Sequence, residues 1–301
     1  MLTGAHFLLT YTCNYECEHC FVFSSPQAQG TFSIGQLQTA LEELTKVGSI
    51  TRVYFEGGEA FLYYPLMVEG ISLAREKGFE AGIVTNAYWA TTESDAELWL
   101  KPLWELGIAD LSLSEDTFHS GDVDKSPARN AYAAATKMGI PVGTISIERP
   151  RTVITEGIDH DAGEPIVGGS TMFRGRAVET LLEGLPTKPW QDFTECAHED
   201  LSNPKRVHLD SYGNVHLCQG ISIGNMWQTP LSELIRGYDC DLHPIAGPIM
   251  RGGPAMLAEV YGIGQDKYYV DACHLCFNMR LDLLDRFQQY LAPRQVYGVT
   301  G

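Results

Sequence analysis

Positive charge is scarce in this chain. Its 301 residues include 21 Lys and Arg against 38 Asp and Glu, a formal net charge of −17. Phosphate backbones and anionic membranes are bound by concentrated Lys and Arg, so neither nucleic acid nor a lipid surface is expected as the main partner. No apolar run approaches the ~20 residues that span a bilayer, so no membrane partner is expected from that side either. The N-terminus lacks a basic n-region and a long apolar h-region. No secretory signal is read there, and the expected location is cytoplasmic. No repeat of solenoid period is present. With the first strand read from residue 4, a fused leader-binding domain ahead of it is not expected. What remains is a globular composition, 44% hydrophobic and 20% charged. The length suits one barrel-sized domain plus a small appendage.

The eight cysteines are grouped. Three fall at Cys13, Cys17 and Cys20 (CxxxCxxC) and two at Cys273 and Cys276 (CxxC). In a chain without a secretory signal this grouping points to metal ligation in a reducing compartment rather than to disulfides. CxxxCxxC lets one loop supply three thiolates to a cubane iron–sulfur cluster. A fourth nearby Cys is lacking, which would leave one iron open to a substrate or cofactor. Zinc is the competing occupant, but it wants four ligands.

Short β-rich runs alternate with amphipathic helices, which predicts a parallel α/β architecture. Strands are expected at 4–10, 51–55, 81–84, 109–113 and 142–147, with a sixth near 165–167 or 170–173. Helices are expected at 36–47 behind a Ser33 N-cap, from Pro65, at 93–106 and at 126–138. The segment 149–165 reads as an insertion or long loop. In such folds ligands gather at the C-terminal strand ends. The unusual residues fall there: the cysteine loop after strand one, Gly57-Gly58-Glu59 after strand two, Thr85-Asn86 after strand three, and Ser114-Glu115-Asp116 after strand four.

The cysteine motif, with His19 where an aromatic residue usually precedes the last Cys, resembles the signature of the radical S-adenosylmethionine (SAM) superfamily. The resemblance implies a partial (β/α)6 TIM-like barrel over residues 1–187. It also implies a 4Fe–4S cluster on Cys13, Cys17 and Cys20, with SAM chelated at the open iron. Gly57, Gly58 and Glu59 resemble the GGEP segment that holds the SAM amino group, with Ala60 in place of Pro. Thr85-Asn86-Ala87 resembles the TNG segment, with Ala in place of Gly. Ser114 and Asp116 match an S-x-D segment, which makes Ser114 the leading ribose contact. His119 matches an S-x-D-x-x-H variant found in some peptide-modifying members and is a candidate catalytic residue. Arg149, just past strand five, is a candidate bidentate partner for the SAM carboxylate. Ile147 and the backbone near Gly175 are expected to flank adenine. In this family a reduced cluster cleaves SAM to a 5′-deoxyadenosyl radical, which abstracts hydrogen from an unactivated C–H bond. An external one-electron reductant of flavodoxin or ferredoxin type is implied.

Residues 188–301 hold a second constellation. Cys196 precedes a hairpin, Val207–Asp210 and Val215–Cys218 about a Tyr212-Gly213-Asn214 turn. A helix at Leu231–Ile235 and a last helix opened by Cys273 and Cys276 follow. This arrangement resembles the twitch domain, a short relative of the SPASM domain. It implies an auxiliary 4Fe–4S cluster on Cys196, Cys218, Cys273 and Cys276; a four-cysteine zinc site has compatible spacing. Cys240 is left over, either a buried apolar thiol or a hydrogen-atom donor to a substrate radical, as a peptide epimerase requires. The motifs look most like radical SAM epimerases of ribosomally made peptides, except that Gln219 stands where a donor Cys can follow the hairpin ligand. The expectation is therefore peptide modification by epimerisation, oxidation or cross-linking. Alternatives are a SAM-dependent dehydrogenase of a small-molecule alcohol and a non-enzymatic iron–sulfur carrier.

Overall fold

The computed structural model describes residues 1–154, 165–265 and 267–299. Four β/α steps and a fifth strand run first: β1 (Gly4–Thr10), α1 (Ile34–Val47), β2 (Arg52–Gly57), α2 (Tyr64–Glu76), β3 (Glu80–Thr85), α3 (Glu93–Glu105), β4 (Asp110–Ser114), α4 (Thr117–Ser120), α5 (Pro127–Met138) and β5 (Val142–Ile145). A small hairpin follows, β6 (Arg151–Ile154) with β7 (Pro165–Gly168), then the single turn α6 (Ala177–Thr180) and β8 (Lys188–Pro189). The C-terminal part holds β9 (Arg206–Asp210), β10 (Asn214–Cys218), β11 (Ile221–Asn225), α7 (Leu231–Gly237), α8 (Ala246–Tyr261), β12 (Tyr268–Tyr269) and α9 (Ala272–Asp282).

One eight-stranded sheet organises these elements, in the order β11-β10-β9-β1-β2-β3-β4-β5. From β9 to β5 every neighbouring pair is parallel, and β10 and β11 are added antiparallel at the β9 edge. The α/β class and parallel order read from the sequence are therefore present, with one difference in the strand inventory. Residues 165–168 do form a strand, but it pairs antiparallel with β6 in a separate two-stranded sheet. The sixth parallel strand is β9, on the opposite edge beside β1. The segment read as a loop at 149–165 contains β6, and its residues 155–164 lie outside the described ones. Strand β11 and the long helix α8 were not anticipated.

The strands alternate with period two. Ala5, Phe7 and Leu9, Val53 and Phe55, Ala81 and Ile83, Leu111 and Leu113, and Val207 and Leu209 are all buried to 1% exposure or less. These form the helix-facing layer, where Phe7 stacks on Phe55 at 5.3 Å and α1 adds Leu37, Leu41 and Leu44. Ser33 caps α1 as expected, in a reciprocal box with Gln36. The alternate positions of the same strands, His6, Leu8, Tyr54, Glu56, Val84, Ser112, Ser114, Arg206 and His208, line a cavity on the other face.

Candidate active site

The cysteine loop follows β1 directly. Cys13, Cys17 and Cys20 all line the cavity, whose volume is about 490 Å³. Backbone N–H groups of Tyr15 and Ser24 donate to the sulfurs of Cys13 (3.4 Å) and Cys20 (3.3 Å). Burial pushes the Cys13 and Cys17 thiols up to about 12. Thiolates there call for a cation, which ligated iron would supply. Three thiols on one loop, with a fourth position left to a non-protein ligand, fit a cubane iron–sulfur cluster, whereas structural zinc takes four protein ligands.

Gly57 and Gly58 bring the end of β2 against this loop. A Cβ on Gly58 would lie 2.3 Å from the Thr12 carbonyl oxygen, and one on Gly57 2.4 Å from that of Thr10. This approach allows Gly58 N–H to donate to Thr10 O (2.6 Å) and Glu59 N–H to Thr12 O (3.0 Å). Glu59 turns away from the cavity. Its carboxylate accepts from Phe61 N, Thr85 Oγ1 and Asn86 N at 3.0, 2.8 and 2.7 Å, tying the ends of β2 and β3 together. Burial nevertheless raises its pKa. Asn86 reaches back to the cysteine loop, with Nδ2 donating to Asn14 Oδ1 at 2.9 Å and lying 3.7 Å from Cys13 Sγ. Ala87 holds φ at 58°, the left-handed conformation that Gly favours.

Asp116 and His119 are neighbours on the cavity wall. Asp116 caps α4 through Phe118 N and His119 N, accepts from Ile147 N at 3.2 Å, and meets His119 Nδ1 at 2.8 Å. Burial opposes its charge, but the His119 bond and charge outweigh that and hold its carboxyl below the usual range. Ser114 and Ile147 line the same cavity. Gly175, at φ 62°, packs on the cysteine loop, where a Cβ would lie 2.5 Å from Cys20 O. Next to it, Arg176 donates to Cys17 O and Ser24 O, both at 2.8 Å.

Two further sequence candidates fall elsewhere. Arg149 is half exposed, paired with Glu18 at 2.5 Å and seated over the Phe118 ring. It is not among the residues lining the cavity. Cys240 packs beside Tyr238 ahead of α8 and lines neither the large cavity nor the second cysteine site. Gln219 does line the large cavity.

The far end of the cavity contains a cluster that motif reading missed. Glu56 accepts from His6 Nδ1 at 3.1 Å and from His208 Nδ1 at 2.8 Å. Arg206 Nε and Gln219 Nε2 face His208 Nε2 at 3.4 Å. Those donors make Nε2 an acceptor and place the proton on Nδ1, so this is a hydrogen-bonded relay rather than a pair of metal-ready imidazoles. Burial pushes His208 down to about 4, which keeps it neutral. Burial opposes the Glu56 charge, yet the two imidazoles hold its carboxyl far below the ordinary range. The available signal was polar residues at inward positions of strands that should be buried on both faces.

The later cysteines come together in the fold. Cys196, Cys218, Cys273 and Cys276 line one small pocket together with Arg174 and Arg280. Arg174 Nη1 donates to Cys218 Sγ at 2.9 Å. Arg280 Nη1 donates to Gln219 O at 2.8 Å and its Nε to Cys276 O at 3.3 Å. Burial opposes the Arg174 charge, but Cys218 and Cys273 more than offset it. Neither arginine was anticipated.

Comparison with known proteins agrees with this layout. Residues 7–147 match the family described as the radical SAM superfamily. The chain is 22% identical over 156 residues to YydG of Bacillus subtilis (strain 168), described as a peptide biosynthesis protein; the match covers 52% of this chain and 49% of YydG. It is 36% identical over 90 residues to AlbA of the same organism, an antilisterial bacteriocin subtilosin biosynthesis protein, covering 30% of this chain and 20% of AlbA. The match thus spans about half the length of the first relative and a fifth of the second. The solved structure of BtrN in complex with AdoMet and 2-DOIA superposes with a TM-score of 0.55 at 18% identity, covering 83% of this chain and 87% of that one. That likeness concerns the fold. Among the described residues no helix is long and apolar enough to cross a membrane. A CxxxCxxC loop after the first strand, strand-end motifs around one cavity and the family match agree: the chain carries a radical SAM domain over residues 7–147.

Proposed function

We propose that this enzyme modifies a ribosomally made peptide by a radical route that ends in oxidation or bond formation. One observation carries the reading: the three-cysteine loop and the strand-end motifs share a single cavity, and Arg174 borders both that cavity and the four-cysteine pocket. When bound, a 4Fe–4S cluster with SAM supplies a 5′-deoxyadenosyl radical that takes a hydrogen atom from substrate, and an auxiliary cluster supplies a one-electron acceptor.

The chain's own residues orient and protect that chemistry. Gly57 and Gly58 offer backbone to the SAM amino group, and Ser114 offers its hydroxyl to the ribose. Glu59, Thr85, Asn86 and Asp116 act as positioning residues, because their side chains tie loop to loop. His119, anchored on Asp116, borders the cysteine loop. His6, held by Glu56 through Nδ1, presents Nε2 as proton acceptor when a substrate carbon radical bearing an O–H or N–H loses its electron. Residues 1–187 would supply the SAM half and 188–301 the auxiliary half, although β9 from the second part joins the sheet of the first. An external reductant of flavodoxin or ferredoxin type would deliver the first electron.

An oxidative ending is favoured over epimerisation. Among the described residues the only thiols lining the cavity are the three of the cysteine loop, so none is free to return a hydrogen atom. Similarity to YydG and AlbA supports a peptide substrate. The polar cavity end, with Arg206, His208 and Gln219, supports a second reading, oxidation of a small polar alcohol.

Anaerobically reconstituted protein is expected to hold about eight iron atoms. It should release 5′-deoxyadenosine from SAM, and replacing Cys13, Cys17 and Cys20 with Ala should abolish that release. Mass spectrometry of incubated precursor peptides should record loss of two hydrogens. Unchanged mass with inverted chirality would overturn the oxidative ending.

A further inference from the structure

Arg174 stands in the wall between the two cysteine sets. It is 7% exposed, lines both the large cavity and the four-cysteine pocket, and lies 5.2 Å from the ring of Phe21, the residue after Cys20. Its Nη1 meets Cys218 Sγ at 2.9 Å. Its Nε is buried with no partner among the described residues. Arg280, 2% exposed, lines the same pocket and among the described residues bonds only to neutral oxygens, those of Gln219, Cys276 and Tyr297. Neither guanidinium forms an ion pair with a carboxylate among the described residues. An unpaired buried charge costs several kcal/mol, and the group that Arg174 touches directly is Cys218 Sγ.

We infer that Arg174 sets the reduction potential of the auxiliary iron–sulfur cluster, raising it through a charge-assisted hydrogen bond to Cys218 Sγ. The inference rests on the reading that Cys196, Cys218, Cys273 and Cys276 hold such a cluster. The physical reason is general. Reduction adds negative charge to the cluster, and a fixed cation with an N–H aimed at a ligand sulfur stabilises the reduced form more than the oxidised one. The site favours electron flow toward the cluster. A cluster held by the four cysteines would supply the acceptor for one electron from a substrate carbon radical, and His6 Nε2 would take the proton. With the hydrogen atom already taken by the deoxyadenosyl radical, the net change is loss of two hydrogens and formation of one double bond.

The test is a dye-mediated redox titration of the anaerobically reconstituted full chain, followed by electron paramagnetic resonance. Added SAM perturbs the signal of the cluster on Cys13, Cys17 and Cys20, and the signal it leaves unshifted is the auxiliary one. Arg174→Gln should move the auxiliary midpoint to more negative potential and the SAM-responsive one much less. Arg174→Lys keeps the charge without the planar fork and should fall between Gln and wild type. A wild-type auxiliary midpoint in either variant that still holds eight irons overturns the inference. So does an equal shift of both clusters, which would mark a general structural effect. Iron near four in the wild-type chain would instead overturn the auxiliary-cluster reading, and the inference with it.

Discussion

Gly58→Ala is the most direct test of how the site is held together. Gly58 does not have a left-handed backbone, so alanine there carries no conformational penalty of that kind. The whole effect is steric. The added Cβ would stand 2.3 Å from Thr12 O, 2.6 Å from Thr12 C and 2.7 Å from Tyr11 O, all backbone atoms that no rotamer change can move. Ordinary contact needs roughly 1 Å more, so the β2 loop must withdraw from the cysteine loop. Withdrawal stretches the bonds from Gly58 N to Thr10 O and from Glu59 N to Thr12 O. Each is worth about 1 kcal/mol, and forcing a methyl into packed backbone adds about 1–3. The sum is a loss of about 3–5 kcal/mol, read as a lowered urea midpoint at unchanged m-value. Because the same loop faces the proposed SAM site, SAM-dependent formation of 5′-deoxyadenosine should fall with it. Gly48→Ala is the control: its φ is 77° and nothing lies within 4 Å of the added Cβ, so it should cost only about 1–2 kcal/mol. A Gly58→Ala protein with wild-type midpoint and SAM cleavage would refute the close-approach argument.

Other outcomes follow from the same geometry. His208 is neutral in the fold, with its pKa pushed down to about 4 by burial, against about 6.5 in the unfolded chain. The unfolded state binds the extra proton first, so stability should fall by about 3 kcal/mol as pH drops from about 6.5 to 4. Glu56 acts in the same direction at lower pH, and His208→Gln should flatten the slope of urea midpoint against pH. Cys240→Ala should leave SAM cleavage and product identity unchanged, because the thiol lines neither site; loss of product with retained SAM cleavage would restore it as a hydrogen donor. Arg149→Gln should leave SAM affinity within about twofold of wild type, since it removes only an exposed pair with Glu18 worth under about 1 kcal/mol; a tenfold loss in equilibrium binding would place it on the SAM carboxylate.

Much of the site was legible because its parts are local. Three thiolates within eight residues need only one loop, and Gly57-Gly58-Glu59, Thr85-Asn86 and Ser114–Asp116 each follow a strand whose own pattern marks it. Position relative to a strand end is a one-dimensional property, and it put all four loops on one rim. The direction of each side chain was not legible in the same way. The Glu59 carboxylate ties β2 to β3, and Arg149, next to the right strand, pairs with Glu18 and does not line the cavity.

By itself the sequence determined the α/β alternation and the cysteine loop, because each depends on spacing along the chain, while the grouping of four later cysteines is what the resemblance to the twitch domain implies. Only the tertiary structure decided that β9, rather than residues 165–168, supplies the sixth parallel strand. Register between strands far apart in sequence is set by packing on both faces of the sheet, not by local propensity. That choice of neighbour brings His208 to Glu56 across 152 positions and so creates the polar end of the cavity. It also places Arg174 against Cys218, from 44 residues away, at the boundary between two cysteine sets that the sequence could only count.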